Sequence, residues 1–152
     1  FDSTALIGFR KLKEKNFESN LTKDGKGYFV PHNGKRATGK LNDNSVSTFE
    51  SIAMPHLQSM RIELSGAKKI NCIILKENLI SGQHCISFTI RLMNEKHESI
   101  KEIRGTTIGH KRMLTFPATE ASIISLSIDE QKSTTNISEI EAYLIDENLI
   151  EK

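Results

Sequence analysis

The sequence predicts an all-β protein, an antiparallel sandwich preceded by one helix. Three observations carry this expectation. From residue 60 onward, apolar and polar residues alternate over several short segments, which is the period of a half-buried strand. The breaks between these segments hold turn-forming residues at short spacing: Ser65-Gly66, Ser81-Gly82, Asn94-Glu95, Gly105 and Pro117. No helical period intervenes among them, so the alternation of strand and helix that builds a parallel sheet is excluded.

The helix belongs to the first 18 residues. Ser3 can cap it, and Ala5, Leu6, Phe9, Leu12 and Phe17 fall within an arc of about 140° at helical spacing. Arg10, Lys11, Glu14 and Lys15 occupy the other face. Such an amphipathic stripe needs a partner surface, either on this domain or on a neighbouring one. Residues 19–59 are rich in Asn, Ser, Lys, Gly and Thr, and read as loops with short strands, one near Tyr28–Val30.

The strands follow. Met60, Ile62 and Leu64 alternate with Arg61 and Glu63; Ile86, Phe88, Ile90 and Leu92 with Ser87, Thr89 and Arg91; Ile124, Leu126 and Ile128 with Ser125 and Ser127. Ile70–Leu75 is almost continuously apolar, as a strand covered on both faces would be. Further strands are expected at His97–Ile103, Lys111–Phe116 and Ile137–Ile145.

Composition bounds the function. A chain of 152 residues fits one domain and hardly two. With 37% hydrophobic and 26% charged residues, it is globular rather than disordered. Lys and Arg number 21 against 19 Asp and Glu, interspersed in sign, so no basic face points to nucleic acid. No apolar run has the length of a membrane span, and no signal-peptide pattern is visible. The chain begins at Phe1, as a mature product or a piece of something longer would. Cys72 and Cys85 form neither a CxxC nor a metal cluster, which leaves two buried thiols or one disulfide open.

The catalytic inventory is thin. The sequence holds no nucleophile elbow, P-loop, dinucleotide fingerprint or HExxH. Its five histidines, His32, His56, His84, His97 and His110, show no metal-ligand spacing. Asn42-Asp43-Asn44-Ser45-Val46-Ser47-Thr48 is an oxygen-rich loop, suited either to one hard cation such as calcium or to an ion-free Asx turn. There is no Trp. Phe1, Tyr28, Phe29, Phe49 and Tyr143 are the candidate platforms for stacking on a sugar ring.

From Ile70 to Tyr143 the sequence resembles the C-terminal β-sandwich of family 29 α-L-fucosidases, a relative of the discoidin (coagulation factor 5/8 type C) fold. Four pieces carry the resemblance in order. Ile70-Asn71-Cys72-Ile73-Ile74-Leu75-Lys76-Glu77-Asn78-Leu79 is similar to the family's FNxVxLQEDI. Gly82-Gln83-His84-Cys85-Ile86-Ser87-Phe88 is similar to GQRVxxF. Gly105-Thr106-Thr107-Ile108-Gly109-His110-Lys111-Arg112-Met113-Leu114 resembles GTTIGYKRLL, with His110 in place of Tyr, and is the most specific. Ile137-Ser138-Glu139-Ile140-Glu141-Ala142-Tyr143 resembles ISEIGLY. More loosely, Phe9–Leu12 and Phe17–Leu21 resemble the linker after the catalytic barrel. Lys40–Phe49 resembles ALDGDxxTYW, with Asn44 for Gly and Phe49 for Trp.

The resemblance implies a discoidin-like jelly roll of about eight antiparallel strands over residues 21–152. Residues 1–20 would be the linker helix from a missing upstream catalytic barrel. It implies a non-catalytic ancillary domain, carbohydrate-binding or barrel-supporting, whose partners would be that barrel and fucosylated or galactose-containing glycans. The parent would be a retaining α-L-fucosidase working with two carboxylates, periplasmic or secreted. A structural Ca2+ would sit on Asp43, Asn44, Thr48 and Glu139. A sugar site on the loops at one end would draw on Arg36, His56, His84, Arg104 and His110, with Arg112 as ready to tie strands as to meet ligand. The alternative is a discoidin-type adhesion or protein-interaction module. A free-standing enzyme lacks any nucleophile–base constellation.

Overall fold

The computed structural model describes residues 20–30, 34–45, 47–53, 55 and 57–146. The expected helix over residues 3–18, and all of the expected linker but its last residue, Asn20, lie outside the described residues. Eight strands follow one another: β1 (Lys26–Val30), β2 (Arg36–Thr38), β3 (Glu50–Ile52), β4 (Ser59–Glu77), β5 (Cys85–Met93), β6 (Ser99–Gly105), β7 (Arg112–Gln131) and β8 (Thr135–Tyr143). Every pairing is antiparallel. Among the described residues there is no helix, and hence none long and apolar enough to cross a membrane.

Two long strands build two layers. The first part of β4 pairs with β1 and with the second part of β7, and β5 and β6 extend that layer, giving the order β2-β1-β4-β7-β5-β6. The second part of β4 pairs instead with β8 and with the first part of β7, and β3 closes that layer beside β8. Strands that pass from one layer to the other must bend, and bulges supply the bend. In β4 the register shifts between Glu63 and Lys68, around Gly66 at φ 94. In β7 the second irregularity of this pairing brackets Pro117, which has no N–H to give to a ladder.

This corrects the expected partition of the strands. Ser65-Gly66 and Pro117 are corners within bent strands, not turns between separate ones. The segments at Met60–Leu64 and Ile70–Leu75 are one strand, as are Lys111–Phe116 and Ile124–Ile128. Two short edge strands that the loop-rich stretch concealed, β2 and β3, restore the count to eight.

One apolar core lies between the layers. Met60, Ile62 and Ile73 of β4, Phe88, Ile90 and Leu92 of β5, Ile124 and Leu126 of β7, and Ile140 of β8 are all fully buried in it. Burying each such side chain contributes about 1.5–3 kcal/mol. A smaller cluster of Cys72, Ile74, Tyr143 and Ile145 occupies the opposite face of β4 and β8, so β8 is buried at all nine positions. Both cysteines are buried and free, and burial first of all pushes each thiol up to about 12.

Candidate functional site

The oxygen-rich loop meets β8 because β8 carries a bulge. Lys76 of β4 pairs with Glu139 and Glu77 with Ile137, so Ser138 is the extra residue, fixed by its hydroxyl donating to the Lys76 carbonyl at 3.0 Å. The extra residue switches the pleat. Ile137 faces the core, while Glu139 turns to the opposite face with Glu141 and Tyr143. There Glu139 Oε1 accepts the Ser45 N–H at 3.1 Å. Asp43 accepts the same N–H at 3.0 Å and the Thr48 hydroxyl, an Asx turn closed on itself. Asn44 sits at φ 57, the left-handed region that Gly occupies freely and Asn tolerates best among the other residues.

The electrostatics of this corner are uneven. Burial pushes the Glu139 carboxyl up to about 8, and the adjoining Asp43 carboxyl adds to the shift. Burial also pushes Asp43 upward, but the hydrogen bonds from Thr48, Glu139 and the Ser45 N–H outweigh it and hold Asp43 below its ordinary value. Glu139 Oε2 is buried with no hydrogen-bond partner. Two abutting carboxyls with an orphaned oxygen, a hydroxyl and an Asn at the rim form the donor chemistry of a hard, oxygen-seeking cation. Asp43, Asn44, Thr48 and Glu139 are thus drawn to one corner. Asn42 anchors the loop from behind, donating to the carbonyls of Thr22 at 2.8 Å and Gly25 at 3.0 Å.

At the end of β4 a carboxylate that the sequence reading passed over organises two loops. Glu77 is buried, and its Oε2 accepts the backbone N–H of His84 at 2.8 Å and of Cys85 at 3.4 Å. Its Oε1 accepts the N–H of Gly109 at 3.2 Å, and its own N–H donates to the Gly109 carbonyl at 2.9 Å. The Gly105–Leu114 motif reads clearly in this setting. Gly109 stands at φ 68, and a Cβ at Gly105 would come within 2.3 Å of the Phe88 ring. The signal for Glu77 lay in that motif together with the Lys76-Glu77 pair, but nothing in sequence spacing joins residues 32 apart.

The residues proposed for a sugar site do not converge. His84 and His110 sit on the two loops that Glu77 clamps; the His84 ring bonds the Ser81 carbonyl at 2.9 Å, and His110 is exposed. Arg36 and Arg104 lie in strands, not in loops, on β2 and β6 at opposite edges of the six-strand layer. Arg36 pairs with the buried Glu50 and lies 5.2 Å from the Phe29 ring centroid; Arg104 pairs with Glu102 at 2.8 Å. His56 lies outside the described residues, as does Phe1. Among the aromatic candidates Tyr28, Phe29 and Tyr143 are buried and Phe49 is half-buried, so none offers an open ring for stacking. Arg112 begins β7, opposite Leu75.

These features define a two-layer antiparallel β-sandwich. The chain matches no known protein-family profile. It is 38% identical over 80 residues, 52% of its length, to a protein of Oryza sativa subsp. japonica that bears the name of an alpha-L-fucosidase, of which it spans 15%. Its fold matches a Ruminococcus gnavus GH29 fucosidase in complex with fucose at a TM-score of 0.81 and 20% identity, covering 98% of this chain and 31% of that one. It also matches the family 32 carbohydrate-binding module of C. perfringens NanJ in complex with galactose at 0.65 and 17% identity, covering 81% of this chain and 96% of that one. The chain thus spans under a third of the length of these fucosidases, to which it is similar in sequence or in fold.

Proposed function

We propose that this chain is a non-catalytic ancillary domain of an α-L-fucosidase, binding carbohydrate through the loops that Glu77 clamps. The observation that carries the reading is the fold match to a fucosidase, which spans nearly all of this chain but under a third of that protein. Catalysis would belong to the remainder of the parent, a retaining enzyme with two carboxylates, exported to the periplasm or secreted. With no open aromatic platform among the described residues, the loop end grips hydroxyls by hydrogen bonds, with His84 and His110 as its donors. Such a site is weak for each contact, since every sugar hydroxyl exchanges one hydrogen-bonded partner for another.

A structural Ca2+ at Asp43, Asn44, Thr48 and Glu139 belongs to the same reading. The cation would supply positive charge between the exposed Asp43 carboxylate and the buried Glu139, whose Oε2 has no partner, and so lock the Asn42–Thr48 loop to β8.

Titration of the chain with fucose, galactose and a fucosylated oligosaccharide, followed by NMR with and without calcium, tests both parts. Shifts confined to the backbone of residues 78–85 and 105–111 are the expected result. A flat response to millimolar sugar would leave support of the catalytic barrel as the domain's work.

A further inference from the structure

Where the turn before β1 and the loop before β3 meet the last residues of β8, the surface sinks into a cavity of about 300 Å³, at the lower end of the range for small-ligand pockets, about 300–1,000 Å³. It lies away from the loops that Glu77 clamps, because β8 pairs Ile137 with Glu77 but Tyr143 with Cys72. Glu141 and Tyr143, both buried, line its floor. Lys23, Asp43 and Asn44 line its mouth and are exposed. The half-buried Asn20 and Asn42 stand between floor and mouth.

The two half-buried amides are held in a fixed orientation. Asn20 Oδ1 accepts the Thr22 N–H at 3.0 Å, the Thr22 hydroxyl at 2.8 Å and the Ala142 N–H at 3.1 Å. Asn42 Nδ2 donates to the carbonyls of Thr22 at 2.8 Å and Gly25 at 3.0 Å. Such partners decide which end of an amide is oxygen and which is nitrogen. Among the described residues, a donor on Asn20, Nδ2, and an acceptor on Asn42, Oδ1, are left uncommitted beside the cavity. Groups locked in this way lose little freedom when a ligand binds.

The charges around the cavity cancel. Glu141 accepts the Tyr143 hydroxyl and stands 2.9 Å from Lys76 Nζ, while Asp43 at the mouth is matched by Lys23. Neither an anion nor a cation meets a net opposite charge there. The amides therefore select a neutral ligand with a donor and an acceptor of its own, and a secondary amide carries both on one rigid plane. The volume equals about ten waters at about 30 Å³ each, more than an acetamido group fills and enough for one sugar ring beside it.

We infer that this cavity takes one neutral 2-acetamido sugar. Its amide N–H donates to Asn42 Oδ1, its amide carbonyl accepts from Asn20 Nδ2, and its ring hydroxyls meet Lys23, Asp43 and Asn44. Fucose and galactose lack the acetamido group and so miss both locked amides. The site shares no residue with the loops proposed above for those sugars, and it stands or falls apart from them.

The test is titration of the full chain with N-acetylglucosamine, in chelator so that no cation occupies the Asp43 corner. Backbone and Asn side-chain amide signals are followed by NMR, with galactose and acetamide as controls. The expected result is millimolar binding, with shifts at the Asn20 and Asn42 side chains and at the backbone of Lys23 and Asn44. Asn20→Asp keeps the oxygen that Thr22 and Ala142 need but removes the donor, and should weaken binding at least tenfold. Asn44→Gly, which holds φ 57 without strain, should weaken it severalfold, and it carries the test should Asn20→Asp fail to fold. A flat response through the millimolar range, or unchanged affinity in the folded variants, would overturn the site. Shifts confined to residues 78–85 and 105–111 would overturn it too, while supporting the loop site. Galactose that moves the same Asn signals as strongly would overturn the acetamido assignment, and acetamide that binds as tightly would overturn the sugar.

Discussion

Glu139 and Asp43, brought together by a single bulge at Ser138, accept the same Ser45 N–H on the outer face of β8, at 3.1 and 3.0 Å. Two carboxyls so placed repel when both ionise, and a divalent cation between them reverses the sign of that interaction. Calcium is therefore expected to raise Tm. At a concentration 100-fold above Kd the gain is about 2.7 kcal/mol, or roughly 5–10 °C for a chain of this size. Differential scanning fluorimetry with calcium and with chelator measures it. Asp43→Asn and Glu139→Gln should each remove most of the shift, and magnesium, which prefers tighter octahedral geometry, should reproduce little of it.

Without calcium the same pair makes stability depend on pH. Glu139 titrates near 8 in the folded chain against an ordinary value of 4.5, so the folded state retains a proton that the unfolded state has lost. Its contribution is fully present below pH 4.5 and is lost as pH rises through about 8. Urea midpoints in chelator should therefore fall from pH 5 to pH 8 in the wild-type chain, and fall less in Glu139→Gln. An unchanged slope in the variant would remove Glu139 as the source.

Much of this fold was legible because strand periodicity is a local property: Ile86–Leu92 and Ile124–Ile128 announce themselves in any window of seven residues. The bends were not, because Ser65-Gly66 and Pro117 carry the chemistry of turns, and only pairing with a neighbour decides whether such residues end a strand or bend it. The Asn42–Thr48 loop stood out as oxygen-rich, but Glu139 joined it only through resemblance to a family motif, since Asp43 and Glu139 lie far apart in the sequence. Glu77 stood within a recognisable motif, but its role depends on which backbone groups the register delivers, and register is a tertiary fact.

Glu77 illustrates the consequence. Its carboxylate holds three N–H groups from two loops, and hydrogen bonds to a charged group contribute about 1.5–3 kcal/mol each in favourable settings. Glu77→Ala should cost about 3 kcal/mol or more and release the amides of His84 and Gly109 to rapid hydrogen exchange, whereas Glu77→Gln should retain part of both. Gly109→Ala, strained at φ 68, should cost about 1–2 kcal/mol and disturb the same amides.

The thiols give a direct reading of the core. Cys72 and Cys85 are both buried and both pushed up to about 12, burial being the largest cause, and the thiolate is the reactive form. A disulfide reagent at pH 8 should therefore find almost no reactive thiol in the native chain and two in urea. Their reaction rate in the native chain should follow opening of the sandwich, rising with each destabilising variant above. A fast native phase of one equivalent would show that the outer face of β4, where Cys72 sits with Ile74 and Tyr143, opens separately from the main core.

Arg36 separates a structural role from a binding one. It stands on β2 in one layer and pairs with Glu50 on β3 in the other, so the contact spans the two edges of the sandwich. Thr38 adds a hydroxyl to the same carboxylate at 3.0 Å, and Lys40 approaches it at 3.8 Å. The Arg36 side chain is 55% exposed and that of Glu50 only 5%. Solvent therefore screens the cation's share, while the acid bears the cost of losing a partner. Arg36→Ala should lower the unfolding free energy by about 1–2 kcal/mol, less than full burial would give because Thr38 and Lys40 remain. If Arg36 serves the sandwich and not a ligand, the variant's sugar titration at His84 and His110 should overlay that of the wild type. A loss of sugar response without a loss of stability would move Arg36 from the edge contact into the binding site.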